Sequence, residues 1–461
     1  MAGENVCLGL TAAFATIAIA LSGSPVEAPT LTATALYMGG TDHPLSIPQD
    51  TPGYIDSYVT WADDDFVGPS GLCVGGDPGC SPVAVYTPAQ FWPVTGLSDI
   101  RFDESVAIGL ANLADCVRGA VCTVTDPPYA STVSRPLTDT SYTVFGYSQS
   151  GVIASIIKSD LIAHPPAPGT VSFVFVSNPN RPHGGVLERF VGVELPVLGV
   201  TFNGATVTNS PQPTPLLTVD AAHQYDPVSD FPLNPLNLIA DLNAALGFFY
   251  EHPEGQGGAP LLQGQYQDTT YYLIPAATIP LLRPLAAVPG IGPLLATVLD
   301  PPLRVLVETG YDRTINPGTP TPAKYLYFPN PITAAANFLA AIPTGWDNGV
   351  AYLTGDPANR PFHTTPPGPY GVGGPEVDTG AVDPYGPPTP VLTAPAPARA
   401  ATTARPEQGV PGVPARAIDA RRADRNQPAA APARAEARST VANRRAASST
   451  GPLRSRSKSD Q

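Results

Sequence analysis

Ser141-Tyr142-Thr143-Val144-Phe145-Gly146-Tyr147-Ser148-Gln149-Ser150-Gly151-Val152-Ile153 is the stretch whose reading decides the fold. Residues 141–145 are β-branched and aromatic, as a strand prefers, while Val152, Ile153, Ile156, Ile157 and Leu161 recur at helical spacing. A strand therefore turns into a helix at Ser148. So sharp a turn needs small neighbours, which Gly146 and Ser150 supply, and the helix N-terminus behind it offers N–H groups to an oxyanion. This is the setting of a nucleophile elbow, with Ser148 as nucleophile and the Gln149 N–H as one oxyanion donor.

Working outward, further strands are expected at residues 31–38, 83–86, 171–176 and 215–219, and a helix at 103–118 with Val106, Leu110, Leu113 and Val117 on one face and Gly119 to end it. A second amphipathic helix spans 236–250. Alternation of this kind implies a central parallel sheet covered by helices on both sides, an α/β fold. Residues 276–299 form a long apolar stretch interrupted by Pro280, Arg283, Pro284, Pro289 and Pro293, which rules against a straight membrane span. Its place in the chain suits a lid over a lipid-binding cleft, packing on the core being the plainer reading.

A serine nucleophile in this architecture takes an acid and then a histidine later in the chain. The six histidines are His43, His164, His183, His223, His252 and His363. Only the last two follow an acid that itself follows a further strand, and His363 sits among prolines and glycines, leaving His252 as the base. The loop after residue 219 carries Asp220, Asp226 and Asp230. Asp226 is far enough along it to reach His252, and Asp230 stays open as the alternative acid. The strand at 31–38 runs into Gly39-Gly40-Thr41-Asp42-His43, so the Gly40 N–H, or the Thr41 N–H or hydroxyl, is the second oxyanion donor.

Cysteines other than Cys7 fall in close pairs, Cys73 with Cys80 and Cys116 with Cys122, which suggests two small-loop disulfides in an exported protein. The spacings are not those of a zinc site. Residues 6–21 are an apolar run of signal-peptide length, followed by Val26-Glu27-Ala28; Glu4 and the lack of Lys or Arg before the run make the signal irregular. Residues 1–28 are read as an export signal, with an uncleaved anchor and a buried helix as the competing readings. The expected location is secreted or associated with the cell envelope.

From 361 to 461 large apolar residues nearly vanish, and a disordered tail rich in Pro, Ala and Arg is expected there, with 29–360 as the folded domain. From Arg399 onward thirteen basic side chains face five acids, a charge of +8, so that of the −14 of the whole chain −22 falls before residue 399. A basic tail suits an anionic lipid or envelope surface, or the acidic body itself, and the acidic body disfavours nucleic acid as a partner.

The elbow Gly146-Tyr147-Ser148-Gln149 resembles that of cutinases, and Asp226-Pro227-Val228 is similar to the segment carrying the cutinase acid. A fuller resemblance is to the PE-PPE domain family, mycobacterial cutinase-like serine α/β hydrolases. It is carried by Met38-Gly39-Gly40-Thr41, by 84–98 with Phe91-Trp92-Pro93-Val94-Thr95, by Asn178-Pro179-Asn180-Arg181-Pro182, by Asp230-Phe231-Pro232-Leu233-Asn234, and by Gly310-Tyr311-Asp312-Arg313-Thr314. The likeness runs from about residue 32 to 355. No PE or PPE helical module is recognised ahead of it, where the apolar segment stands.

The resemblance implies Ser148, Asp226 and His252 as a triad acting on acyl esters or thioesters of lipid-like substrates without metal or organic cofactor. An acyltransferase moving acyl chains between envelope glycolipids is one competing expectation. A non-catalytic lipid-binding envelope protein is the other.

Overall fold

A computed structural model describes residues 33–375 apart from 74–78, 166–169, 212–214 and 256–257. The expected export signal, and the tail beyond residue 375, lie outside the described residues. Among the described residues there are eleven strands: β1 (Ala33–Met38), β2 (Ser81–Val85), β3 (Val121–Thr125), β4 (Thr132–Pro136), β5 (Ser141–Tyr147), β6 (Thr170–Val176), β7 (Glu194–Leu195), β8 (Val200–Thr201), β9 (Thr218–His223), β10 (Leu261–Tyr266) and β11 (Thr269–Ile274). The helices are α1 (Pro52–Ala62), α2 (Phe102–Val117), α3 (Gln149–Ala163), α4 (Val186–Arg189), α5 (Leu238–Tyr250), α6 (Arg283–Ala286), α7 (Gly292–Glu308) and α8 (Pro331–Thr354).

Nine strands form one sheet in the order β10-β11-β9-β6-β5-β1-β2-β3-β4. The six from β11 to β2 run parallel, while β10 at one edge and β3 and β4 at the other are antiparallel. The α/β expectation holds, and the antiparallel edges are an addition to it. Every residue of β1 and β5 is buried, which is why these segments read as unbroken apolar runs. Alternate side chains feed two cores: Leu36, Val144, Ile153 and Phe173 meet α2 and α3 on one face, and Tyr37, Phe145, Val174 and Val59 of α1 meet on the other.

Register is what positions the site. Met38, the last residue of β1, pairs with Gly146 in β5, so the loop after β1 and the turn after β5 leave the sheet side by side. Gly119 ends α2 with a positive φ of 70°. Cys73 is bonded to Cys80 beside the second core, and Cys116 to Cys122 ties α2 to β3.

Two expectations are corrected. The strand expected at 215–219 is β9, so Asp220 lies inside it rather than on the loop beyond. Residues 276–299 are interrupted as expected: prolines give a single 3₁₀ turn at Pro280–Leu282, the short α6, and then α7, which packs against α8. The folded chain also continues past residue 360. The Asp347 carboxylate accepts N–H bonds from Phe362 (2.7 Å) and Thr364 (2.8 Å), and Tyr370 is buried against Ala222 and Leu273. Composition concealed this, because a few clasping bonds and one aromatic ring suffice to hold a proline-rich segment.

Candidate active site

Ser148 sits between β5 and α3 with φ 54° and ψ −119°, a backbone state uncommon for a residue with a side chain. Close packing holds it there. A Cβ at Gly146 would lie 2.8 Å from the Ser150 carbonyl oxygen and 3.0 Å from the Ala154 Cβ, so only glycine fits. The Ser150 hydroxyl accepts from the Tyr147 N–H (2.9 Å) and lies within donating distance of the Tyr147 and Met38 carbonyls, stapling the elbow to the end of β1.

The Ser148 Oγ lies 2.9 Å from Nε2 of His252, and Nδ1 of His252 lies 2.9 Å from Oδ1 of Asp226. Three residues from three separate segments thus form one hydrogen-bonded chain. Asp226 is fully buried and also accepts from the Val228 N–H (2.9 Å) and the Ser229 hydroxyl (2.8 Å). Burial alone would push its carboxyl up; His252 and the three bonds it accepts outweigh that and hold it below the usual carboxylate range. The imidazole stacks on Tyr147 and Phe248, with ring centroids 5.4 and 5.2 Å away, and the Tyr147 hydroxyl donates to the His252 carbonyl.

The other expected acids have different partners. Asp230 makes a bidentate pair with Arg313 (2.6 and 3.1 Å), which leaves it no free oxygen to turn toward His252. Asp220 is buried against Arg181 and accepts from Asn178 (2.8 Å). It is a structural anchor whose loss would unsettle β9.

Gln149 opens α3, so its N–H belongs to the first turn, where helical N–H groups lack intrahelical acceptors. Its side chain is tied off: Oε1 accepts from Ser105 (3.1 Å) and Nε2 donates to the Gln90 carbonyl (2.9 Å). A Cβ added to Gly40 would meet the Tyr147 ring at 2.8 Å and the Ser148 Cβ at 3.6 Å, so the Gly40 backbone passes directly beside the serine. Thr41 lines the same cavity.

That cavity has a volume of about 850 Å³ and contains Ser148 and His252 in its wall. Phe91, Val94, Phe102, Leu187, Phe202, Val228 and Phe248 make one side apolar; Asp42, His43 and Glu254 make the other polar. Residues 276–299 contribute nothing to its lining, so the lid expected there is corrected: the loop 91–95, the segment 186–202 and the end of α5 enclose the serine instead. The polar side escaped sequence reasoning. His43 bonds Asp50 (3.1 Å), which pushes its pKa up against the effect of burial, and stacks on Tyr54, whose hydroxyl donates to Glu254 (2.5 Å). Burial pushes the Glu254 carboxyl up. The only signal was Glu254 standing two places after His252. Among the described residues no group of three or more His, Cys, Asp or Glu is arranged to hold a metal ion.

A mostly parallel sheet with a serine at a strained strand-to-helix turn, answered by a buried aspartate and then a histidine in that chain order, defines an α/β-hydrolase type of architecture. The chain belongs to the PE-PPE domain family, whose model matches residues 78–312. PPE42, an uncharacterised PPE family protein of Mycobacterium tuberculosis, is 37% identical over 303 residues, 63% of this chain and 46% of its own. Esterase PE16 of the same species is 36% identical over 304 residues, 63% of this chain and 51% of its own. SL1278 acyltransferase Chp1, also from that species, is 30% identical over 251 residues, 51% of this chain and 54% of its own. The chain therefore spans about half the length of these relatives.

Proposed function

We propose that the protein is a serine esterase that cleaves acyl esters of lipid-like substrates through an acyl-enzyme. The observation that carries this reading is the chain of 2.9 Å contacts from Ser148 through His252 to Asp226, opening on a largely apolar cavity. Ser148 attacks the acyl carbonyl as His252 Nε2 takes its proton; the same nitrogen then returns a proton to the leaving oxygen. Asp226, accepting from Nδ1–H, fixes the tautomer and stabilises the imidazolium without itself being protonated. The Gln149 N–H and the Gly40/Thr41 loop hold the oxyanion. None of these steps calls on a cofactor.

Acyl transfer is the second reading, supported by the kinship to an acyltransferase and by apolar walls that limit water around the acyl-enzyme. Both reactions share the acyl-enzyme and separate only at the acceptor. The test is labelling with a fluorophosphonate followed by turnover of a short acyl ester. Labelling should be lost in Ser148→Ala, and turnover should fall at least about 10⁴-fold. An unlabelled native protein would leave only the lipid-binding alternative. Adding alcohol acceptors and measuring the ratio of ester to free acid then divides transfer from hydrolysis. Export and an envelope location are part of the same proposal, resting on residues 1–28 and on the cysteine pairs.

A further inference from the structure

The helix that leads the chain to His252 is apolar toward solvent. α5 buries small residues, Ala240, Ala244 and Gly247, and a Cβ on Gly247 would lie 2.1 Å from the Tyr225 carbonyl oxygen, so the helix is pressed close to the loop after β9. Its large side chains point the other way. Leu238, Leu242 and Phe249 are each more than half exposed, and intervals of four and seven put them on one stripe. α8 repeats the pattern. Ile332, Leu339, Trp346 and Leu353 recur every seven residues and are each more than half exposed.

The head of α5 and α8 share a groove. Asn237, heading α5, and Leu339 of α8 line this apolar groove of about 760 Å³, while Phe248, at the other end of α5, lines the Ser148 cavity. α5 thus reaches from the cavity to the groove that α8 lines, with Leu238, Leu242 and Phe249 exposed along it. Single exposed leucines need no explanation, whereas a continuous face of this extent does.

We infer that this face docks on an uncharged lipid bilayer and lays the mouth of the Ser148 cavity against it. The proposal rests on the esterase or acyl-transfer reading for its purpose, and on three observations for its occupant. The face is continuous with the cavity, so a lipid lifted from the surface has an apolar path to Ser148. It has almost no ionisable groups: α5 carries only Asp241 and α8 only Asp347, which is spent on the Phe362 and Thr364 N–H groups. A protein partner is normally steered and held in register by a charged rim, which these helices lack. Finally, −22 of charge before residue 399 repels anionic headgroups, which selects a neutral or zwitterionic surface. Trp346 and Tyr352 supply the amphipathic rings that settle at such an interface.

The experiment uses the full chain with phosphatidylcholine vesicles whose acyl chains carry bromine. Because residues 6–21 can tether the chain by themselves, and because Trp61 and Trp92 also fluoresce, the readout is the share of the quenching that Trp346→Phe removes, which reports this face. Quenching is expected in the native protein and should fall measurably in Trp346→Phe. The surface triple variant Leu238→Ser/Leu242→Ser/Leu339→Ser should lower Trp346 quenching at a given lipid concentration, shifting the midpoint at least tenfold, with an unchanged melting temperature. It should also lose turnover of vesicle-borne esters while keeping turnover of a water-soluble short ester.

No Trp346 quenching on bound vesicles, an unshifted midpoint in the triple variant, or quenching only with anionic lipid would each overturn the proposal. A native dimer in lipid-free buffer that the triple variant converts to monomer would assign the face to a second copy instead. If the native protein turns over no ester, the esterase reading fails while the quenching result still decides the docking.

Discussion

Two buried aspartates four positions apart leave the end of β9 on one loop, and their surroundings give them opposite work. Asp226 faces the imidazole of His252, which faces a serine at the wall of an open cavity. Asp230 faces Arg313, which also binds Glu308 (2.8 Å), lies 4.1 Å over the Tyr311 ring and 5.0 Å over that of Tyr370, and is sealed from solvent. Both carboxylates are paired, one with an imidazole and the other with a guanidinium. A guanidinium keeps its charge in any protein setting, so the Asp230 region can lock the loop but cannot relay a proton. The same chemistry of a buried acid is thus divided between holding and reacting by the identity of one neighbour.

The sharpest way to break this contrast is Asp226→Asn, which preserves shape but reverses the bond to Nδ1. It should lower kcat by about 10⁴-fold with little change in melting. Arg313→Met should do the reverse, costing about 3 to 5 kcal/mol of stability by stranding Asp230 and Glu308, while the fraction that stays folded keeps its rate per molecule. Denaturant unfolding alongside active-site titration separates the two. If Asp230→Asn lowered kcat as far as Asp226→Asn, the division of labour would be wrong.

Gly40→Ala sharpens the site itself. The added methyl would collide with Tyr147 and push the loop from Ser148, so kcat should fall about 10²-fold with KM nearly constant. The smallest effect belongs to Glu251, whose carboxyl burial pushes up to about 7 despite Arg283 at 3.4 Å. A raised acid stabilises the fold below its ordinary value near 4.5, and that contribution is lost as pH rises through about 7. Melting temperature should therefore decline between those limits. Glu251→Gln should flatten the decline, a change on the order of 1 kcal/mol.

Much of the centre of this molecule was legible in the sequence. β1, β5 and β6 are buried on both faces and so declare themselves as apolar runs, and the period changes abruptly at Ser148. Loop position and resemblance favoured Asp226 but left Asp230 open, because what removes Asp230 is Arg313, some eighty positions on, which β9 and the loop after α7 bring into reach. The β10–β11 hairpin, turning at Gln267 and Asp268, went unread because neither of its strands alternates polar with apolar residues. α8 also went unread, since its alanines, Pro343 and lack of charge fit no amphipathic template. Its exposed stripe is apolar where a soluble helix would be polar, so the usual pattern pointed nowhere.

The clasp between Asp347 and residues 362–364, with Tyr370 beneath it, sets a practical boundary for anyone shortening this chain. Gln263 donates to the Tyr370 hydroxyl (2.9 Å), and Arg304 and Gln224 both donate to the Pro369 carbonyl (3.0 and 2.9 Å). A stop codon at 361 would strip a plug from beneath the sheet's far edge and invite protease into α8, whereas one placed after 375 keeps the plug seated.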